Sequence, residues 1–287
     1  MKKVILSIQF TFVFISSIFA QVIVVDGVKD TFYDGLTGPD DGYIQIQAFH
    51  HSEVGAPDDN ADLSVKVWGA WDADWFYLYA EITDDSVSLA GATANWQTDG
   101  MQLQIDGVPD DSTQGSVSGS YIFTAIDSSD ADPEDKSVCD NLDNLAETDK
   151  MYARGTMSGG YILEYAIRID TLGGSESITG AVDGIFGLGM SINDNDGANR
   201  DAAEVWAAEC DDNIWNTVKL HGTVKFLADN KVQFLATNNM TGRSNPLPFD
   251  GSDIIIVNSP NGGETLLGRF QRRHCLDFYG LQWNCTY

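Results

Sequence analysis

Basic residues are scarce in this chain: 16 Lys and Arg stand against 43 Asp and Glu, a formal net charge of -27 over 287 residues. A surface of that sign repels phosphate backbones and anionic lipid, which argues against nucleic acid as a partner. Cysteine is sparse too, and Cys139, Cys210, Cys275 and Cys285 form no C-x-x-C pair, so no zinc or redox motif is supported. The four histidines, His50, His51, His221 and His274, lack metal-ligand spacing, and the adjacent pair in a strand would point to opposite faces. G-x-S-x-G, H-E-x-x-H, a Walker loop and G-x-G-x-x-G are all missing, which leaves nucleophilic, metalloprotease and nucleotide chemistry without a sequence basis. Long apolar runs are missing as well beyond the N-terminus, so no later segment could span a bilayer.

What is present begins with that N-terminus. Lys2 and Lys3 precede an apolar run from Val4 to Ile15, broken by Ser7, Gln9 and Thr11, and Ser16-Ser17-Ile18-Phe19-Ala20 follows. This is the order of a secretory signal peptide over residues 1–20, with cleavage after Ala20. The polar interruptions speak against the alternative, a short membrane anchor. The mature chain is therefore expected to be secreted, extracellular, cell-surface or periplasmic, and free of the membrane after cleavage. In an oxidising compartment a Cys139–Cys210 bridge and burial as free thiols both stay open. The acidity suits a soluble secreted protein and leaves carboxylates that could hold structural calcium, with the pair Asp84-Asp85 and the run Asp130 to Asp135 as candidates. No other cofactor is indicated.

A hydrophobic fraction of 43% supports a sizeable core. Leu63 to Trp68, Phe76 to Ile82 and Met101 to Asp106 alternate apolar and polar residues, the period of a half-buried strand. Further strands are expected at Tyr121 to Ile126, Tyr161 to Ile169, Ile185 to Ile192 and Thr217 to Phe226, separated by turn signals such as Asp72-Ala73-Asp74, Ser158-Gly159-Gly160 and Asp183-Gly184. No segment keeps a helical period. Many short strands without intervening helices predict an all-β fold, an antiparallel two-sheet sandwich of jelly-roll type. Composition divides the chain into a sandwich over 22–227, a linker over 228–252 rich in Asn and Pro, and a remainder over 253–287. That remainder opens on Asp253 to Asn258 like the first strand of an immunoglobulin-like module, yet is too short for a whole one. It is expected to be a truncated module or a disordered tail.

Two polar runs flank tryptophans: Asn95-Trp96-Gln97-Thr98-Asp99 leading into Gly100 to Asp106, and Asn193-Asp194-Asn195-Asp196 leading through Arg200 to Trp206. The second fails as an EF-hand, because placing Gly197 at the glycine position puts Ile192 first and Ala203 last in the loop. By themselves, Trp96 and Trp206 are ordinary core candidates, and Trp68, Trp71, Trp75 and Trp215 read as core or surface-edge residues.

The motifs fall in an order that resembles the family 9 carbohydrate-binding module. Val25-Asp26-Gly27-Val28-Lys29-Asp30 is similar to its D-G-x-x-D/E start, with Phe32 or Tyr33 where a Trp is usual. Trp75 to Asp85 is similar to W-D-x-x-x-L-Y-V-x-x-x-V-x-D, Trp96 to Asp106 to W-x-x-D-x-V-E-I-x-I-D, and Gly160 to Ile167 to G-Y-x-x-E-x-A-I. Asn193 to Trp206 is similar to N-D-x-D/N followed by Arg and Trp. The chain departs from the pattern at Gln102, where the family has Glu, and in Tyr121 to Ile126, which lacks an Arg that some members carry.

The resemblance implies non-catalytic carbohydrate binding outside the cell, with Trp96 and Trp206 clamping a terminal sugar of a polysaccharide or oligosaccharide within a glycan-degrading system. Gln102, Asn193 and Arg200 would set the orientation of that sugar. A pyranose offers axial C–H groups to an indole face, so stacking buries apolar area while leaving hydroxyls for hydrogen bonds. Two alternatives accompany this reading. The chain could be a module of a glycoside hydrolase or itself hydrolytic, using a carboxylate pair. It could instead resemble the related haem-binding DOMON domains, with Met101, Met190 and His221 as ligand candidates.

Overall fold

A computed structural model describes residues 23–47, 54–88, 94–108, 118–125, 145–197, 199–206, 213–215, 217–235, 253–258 and 264–270. Two antiparallel sheets stack face to face. The first runs in the order β1 (Tyr43–Gln47), β2 (Leu63–Trp71), β3 (Trp75–Asp84), β7 (Gly160–Arg168), β6 (Lys150–Met157). The second runs β11 (Val232–Leu235), β10 (Gly222–Phe226), β8 (Ile185–Asp194), β4 (Gly100–Asp106), β5 (Gly119–Thr124), and β9 (Ala202–Trp206) also pairs with β8. The one α-helical turn among the described residues is α1 (Ile169–Leu172). The expected sandwich is what the chain forms.

The period of two does the folding. Met101, Leu103 and Ile105 of β4 and Phe186, Leu188, Met190 and Ile192 of β8 turn inward against Val65, Val67, Phe76 and Leu78 of the first sheet, all in one core cluster. The β2–β3 hairpin closes through Asp72, whose Oδ1 accepts the amides of Asp74 and Trp75, an Asx turn that matches the predicted signal. Arg154 of β6 donates to the Thr124 carbonyl of β5 at 2.8 Å and ties one open side of the sandwich.

β3 departs from simple alternation because both of its faces are covered. Tyr77 and Tyr79 pack outward into a second cluster with Tyr33, Trp68 and Ile162, over which the N-terminal segment folds. Lys29 Nζ sits 4.1 Å from the Trp68 ring centroid. Glu164 anchors this segment: its Oε2 accepts the amides of Asp26 and Gly27 at 3.0 and 2.8 Å. Gly27 has φ +77° and a Cβ there would stand 2.6 Å from the Arg154 carbonyl, so only glycine fits. The D-G start of the sequence thus serves packing on the outer face of the first sheet.

Three expectations change. The second sheet continues past 227 into β11, which pairs in register with β10, so the linker expected over 228–252 cannot begin at 228. Strands β1, β6 and β9 were not anticipated, being short or only half-buried. Asp253–Asn258 and Glu264–Phe270 pair as a hairpin, β12–β13, where a disordered tail was one expectation. The signal-peptide residues 1–20, all four cysteines, His50, His51, His274 and Asp130 to Asp135 lie outside the described residues. Among the described residues no helix is long and apolar enough to cross a membrane.

Burial pushes the Glu164 carboxyl up to about 7, against the lowering effect of its two amide donors. A carboxyl whose folded value lies above its unfolded one favours the protonated native state, so its contribution to stability falls as pH rises from about 4.5 through about 7. Glu164→Gln should remove that slope. Urea unfolding at pH 5 and pH 8 should show the variant gaining on the wild type by on the order of 1–3 kcal/mol across the interval.

Candidate functional site

On the face of β8 that looks away from the core, Ser191 and Asn193 stand beside Gln102 of β4, which pairs directly with Ser191. Asn193 Oδ1 accepts from Ser191 Oγ at 3.3 Å and from Arg200 Nη1 at 3.2 Å. The Arg200 guanidinium lies 5.0 Å from the Trp96 ring centroid. Trp96 itself sits on a one-turn 3-10 helix (Asn95–Gln97) just before β4 and is 41% exposed. These groups border a cavity of about 260 Å³ lined by Trp96, Gln102, Ser191, Arg200, Ile214 and Trp215. Gln102 and Arg200 both line it, and Asn193, wholly buried, supports Arg200 from behind.

Trp206 is not there. It pairs with Met190 across β9 and β8, and Met190 is a core-facing residue, so the same parity turns the Trp206 indole inward. It is 1% exposed and meets Phe234 edge to face at 5.6 Å. A side chain so enclosed offers no ring face to a sugar. The second exposed indole is Trp215, at 55%, carried by a 3-10 helix (Asn213–Trp215) between β9 and β10. The sequence placed it with the core or surface-edge tryptophans and not with the clamp. Its signal was local: a lone aromatic in Asn213-Ile214-Trp215-Asn216, outside any alternating run.

Behind the cavity, on the core side, lies an acidic cluster. Asp84 at the end of β3, Asp99 before β4 and Asp194 at the end of β8 are buried, with one carboxylate oxygen of each within 4.8 Å of the others. Burial, reinforced by neighbouring acids, raises Asp84 to about 6 and Asp99 and Asp194 to about 8. Glu204 of β9 is fully buried and raised well above the usual range by burial and then by Asp194. Asp84 Oδ2, Asp194 Oδ1 and both Glu204 oxygens have no hydrogen-bond partner. Unpaired buried oxygens are costly, and oxygen-only ligation with neither His nor Cys matches calcium chemistry. A second group, Asp62, Asp85 and Asp196, lies toward solvent.

The two sites share their loops. Asp99 accepts the Asn195 amide at 2.7 Å and also the Ser88 amide, while Asn195 Nδ2 donates to the Gln97 carbonyl at 2.8 Å beside Trp96. The haem-ligand set does not converge: Met101 and Met190 face the core, whereas the His221 ring lies on the opposite face of β8, where a Cβ on Gly189 would meet it at 2.9 Å.

A family model described as carbohydrate family 9 binding domain-like matches residues 25–228. The chain belongs to this family. Its match spans the sandwich and stops short of β11, and it takes in every residue of the cavity lining. Two solved structures of family 9 modules from Caldicellulosiruptor kristjanssonii are similar in fold. One, in complex with cellotriose, is 17% identical with a TM-score of 0.51, covering 78% of this chain and 96% of that one. Another, in complex with glucose, is 17% identical with a TM-score of 0.49, covering 71% and 91%. No curated protein matches the sequence.

The two tryptophans of this family 9 domain should separate cleanly in stability. Trp206→Ala opens a core cavity and is expected to cost about 3–5 kcal/mol in urea unfolding. Trp215→Ala, at the surface, should stay within about 0.5 kcal/mol of the wild type.

Proposed function

We propose that this domain binds a sugar ring between Trp96 and Trp215, without catalysis, outside the cell, as the glycan-holding part of a polysaccharide-degrading system. The observation that carries the reading is a single cavity bordered by two exposed indoles, with Gln102, Ser191 and Arg200 presenting polar groups between them. Family membership supports it, and a module of the same fold was solved with cellotriose. The indoles take the ring by stacking, and each contributes on the order of 1–3 kcal/mol by analogy with base stacking. The polar groups select hydroxyl positions, because a misplaced hydroxyl leaves a buried donor or acceptor unmade. Hydrolysis would need two carboxylates across the scissile bond, and none of the described residues lining the cavity is a carboxylate.

Calorimetric titration with cellotriose and other oligosaccharides is the test. Trp96→Ala and Trp215→Ala should each weaken binding by at least 10-fold. Unchanged affinity in both variants would refute the clamp.

The same reading assigns calcium to the acidic cluster, held by Asp84, Asp99 and Asp194 with Glu204 beside them. The ion would relieve the mutual repulsion of these carboxylates and satisfy their unpaired oxygens. Calcium at a hundred times its dissociation constant should stabilise the protein by about 2.7 kcal/mol. Thermal melts of chelator-treated protein with and without added calcium check this, and Asp194→Asn should abolish most of the gain. Identical melts in both conditions would remove calcium from the account.

A further inference from the structure

The residues just before β10 do something that the lining of the cavity does not reveal. Trp215 stands on three residues of 3-10 helix, an arm too short to hold an indole by its own hydrogen bonding. Its neighbour Ile214 is buried against Val205 and Leu220 in a small cluster of its own. The Ile214 carbonyl, part of the peptide that leads directly into Trp215, lies 2.9 Å from His221 Nε2. A carbonyl oxygen only accepts, so the proton of that bond sits on Nε2. The imidazole is 3% exposed, and burial lowers it to about 4, so at neutral pH it is uncharged. Its buried Nδ1 has no partner, which fits the neutral tautomer: an imidazolium would place a second N–H there with nothing to accept it.

The ring has a seat made for it. A Cβ on Gly189 would stand 2.9 Å from His221 Cδ2, 3.1 Å from Nε2 and 3.4 Å from Ile214 Cβ. Glycine at this position of β8 lets the imidazole and Ile214 lie directly on the outer face of the sheet. The base of the arm is closed in the same way from inside. Gly222, paired with core-facing Leu188, leaves the space that the Trp206 ring fills, since a Cβ there would be 2.5 Å from Cη2. Trp206 ends β9 and Gly222 begins β10, so the two ends of the connection that bears Trp215 are locked together in the core.

We infer that His221 is the positioning residue of the sugar site, a latch that fixes the Ile214–Trp215 peptide and so sets the Trp215 indole at its angle to the cavity. The inference rests on the proposed clamp for its consequence in binding, but the latch itself concerns only the protein. His221 is not among the residues that line the cavity, and it acts through the Ile214 carbonyl on Trp215.

The test uses 5-fluorotryptophan-labelled protein, with the Trp215 resonance assigned by its loss in Trp215→Phe. In His221→Leu, which keeps bulk and removes the donor, the Trp215 signal should move toward the position of a solvent-exposed fluoroindole, and cellotriose affinity should fall about 10-fold. His221→Gln restores an N–H near the Nε2 position and should bring the resonance back and the affinity to within about 3-fold of wild type. Gly189→Ala is the second route, because its methyl must displace the ring, and it should reproduce the His221→Leu spectrum. A Trp215 resonance unmoved in both His221→Leu and Gly189→Ala overturns the latch. So does a His221→Gln no better than His221→Leu, which would mark simple packing. Should wild-type protein bind no oligosaccharide, the clamp fails, while the fluorine spectra still decide the latch.

Discussion

The alternation of β8 is the constraint on which the rest of the binding face depends. This strand pairs with β4 along one edge and, along the other, with β10 over its first half and β9 over its second. Its even-numbered residues from Phe186 to Asp194 face the core, and the odd-numbered ones face outward. Consecutive residues of one motif are therefore sent to different sites: Asn193 to the Arg200 support, Asp194 to the acidic cluster. A slip of one residue would exchange the two and place Gly187, Gly189, Ser191 and Asn193 in the core. The hydrophobic identity of Phe186, Leu188, Met190 and Ile192 prevents it.

The same parity explains what could be read from the sequence and what could not. The sandwich was legible because long strands such as β2, β3 and β4 advertise their period, and their turns carry Asp and Gly in the expected places. Motif order pointed to Trp96, Gln102, Asn193 and Arg200, which the fold brings near one another. Trp206 was misplaced because its facing depends on its partner in the ladder, and pairing with Met190 is a long-range fact that no local run states. Trp215 was left among the core or surface-edge tryptophans for the converse reason. It belongs to no strand, so alternation is silent about it, and only its polar neighbours hinted at exposure. Short edge strands failed as signals too: β11 has four residues, and its membership is settled by pairing with β10.

The acidic cluster and the cavity are two sides of one piece of architecture. Trp96 and Asp99 lie three residues apart, with the indole outward and the carboxylate inward, and Asn193 and Asp194 repeat the division on the neighbouring strand. Asp99 spends its oxygens on the Ser88 and Asn195 amides, and Asn195 in turn holds the Gln97 carbonyl, so the loops on which Trp96 and Arg200 ride are fastened through the cluster. Carboxylates buried this closely are raised first by loss of water and then by one another's charge, as Asp99 and Asp194 both are. Under the proposed reading a divalent cation turns that repulsion into a fastening. Its effect would reach the sugar through the loops rather than by contact.

Stacking on an exposed indole is weak if the indole must first be ordered, since immobilising a free side chain at an interface costs about 0.5–1.5 kcal/mol. That is comparable with the lower end of what one ring contributes. Both rings here are held in advance, by different means. Trp96 carries the Arg200 guanidinium 5.0 Å from its centroid, and Arg200 is itself held by Asn193. Trp215 is held differently: Ile214 is sunk in an apolar cluster and its carbonyl is tied to His221. One jaw is thus set by charge and polar contacts that salt can screen, the other by burial that ionic strength does not screen. The jaws are consequently separable in solution: raising ionic strength should loosen the Trp96 side of the cavity while leaving the Trp215 side in place.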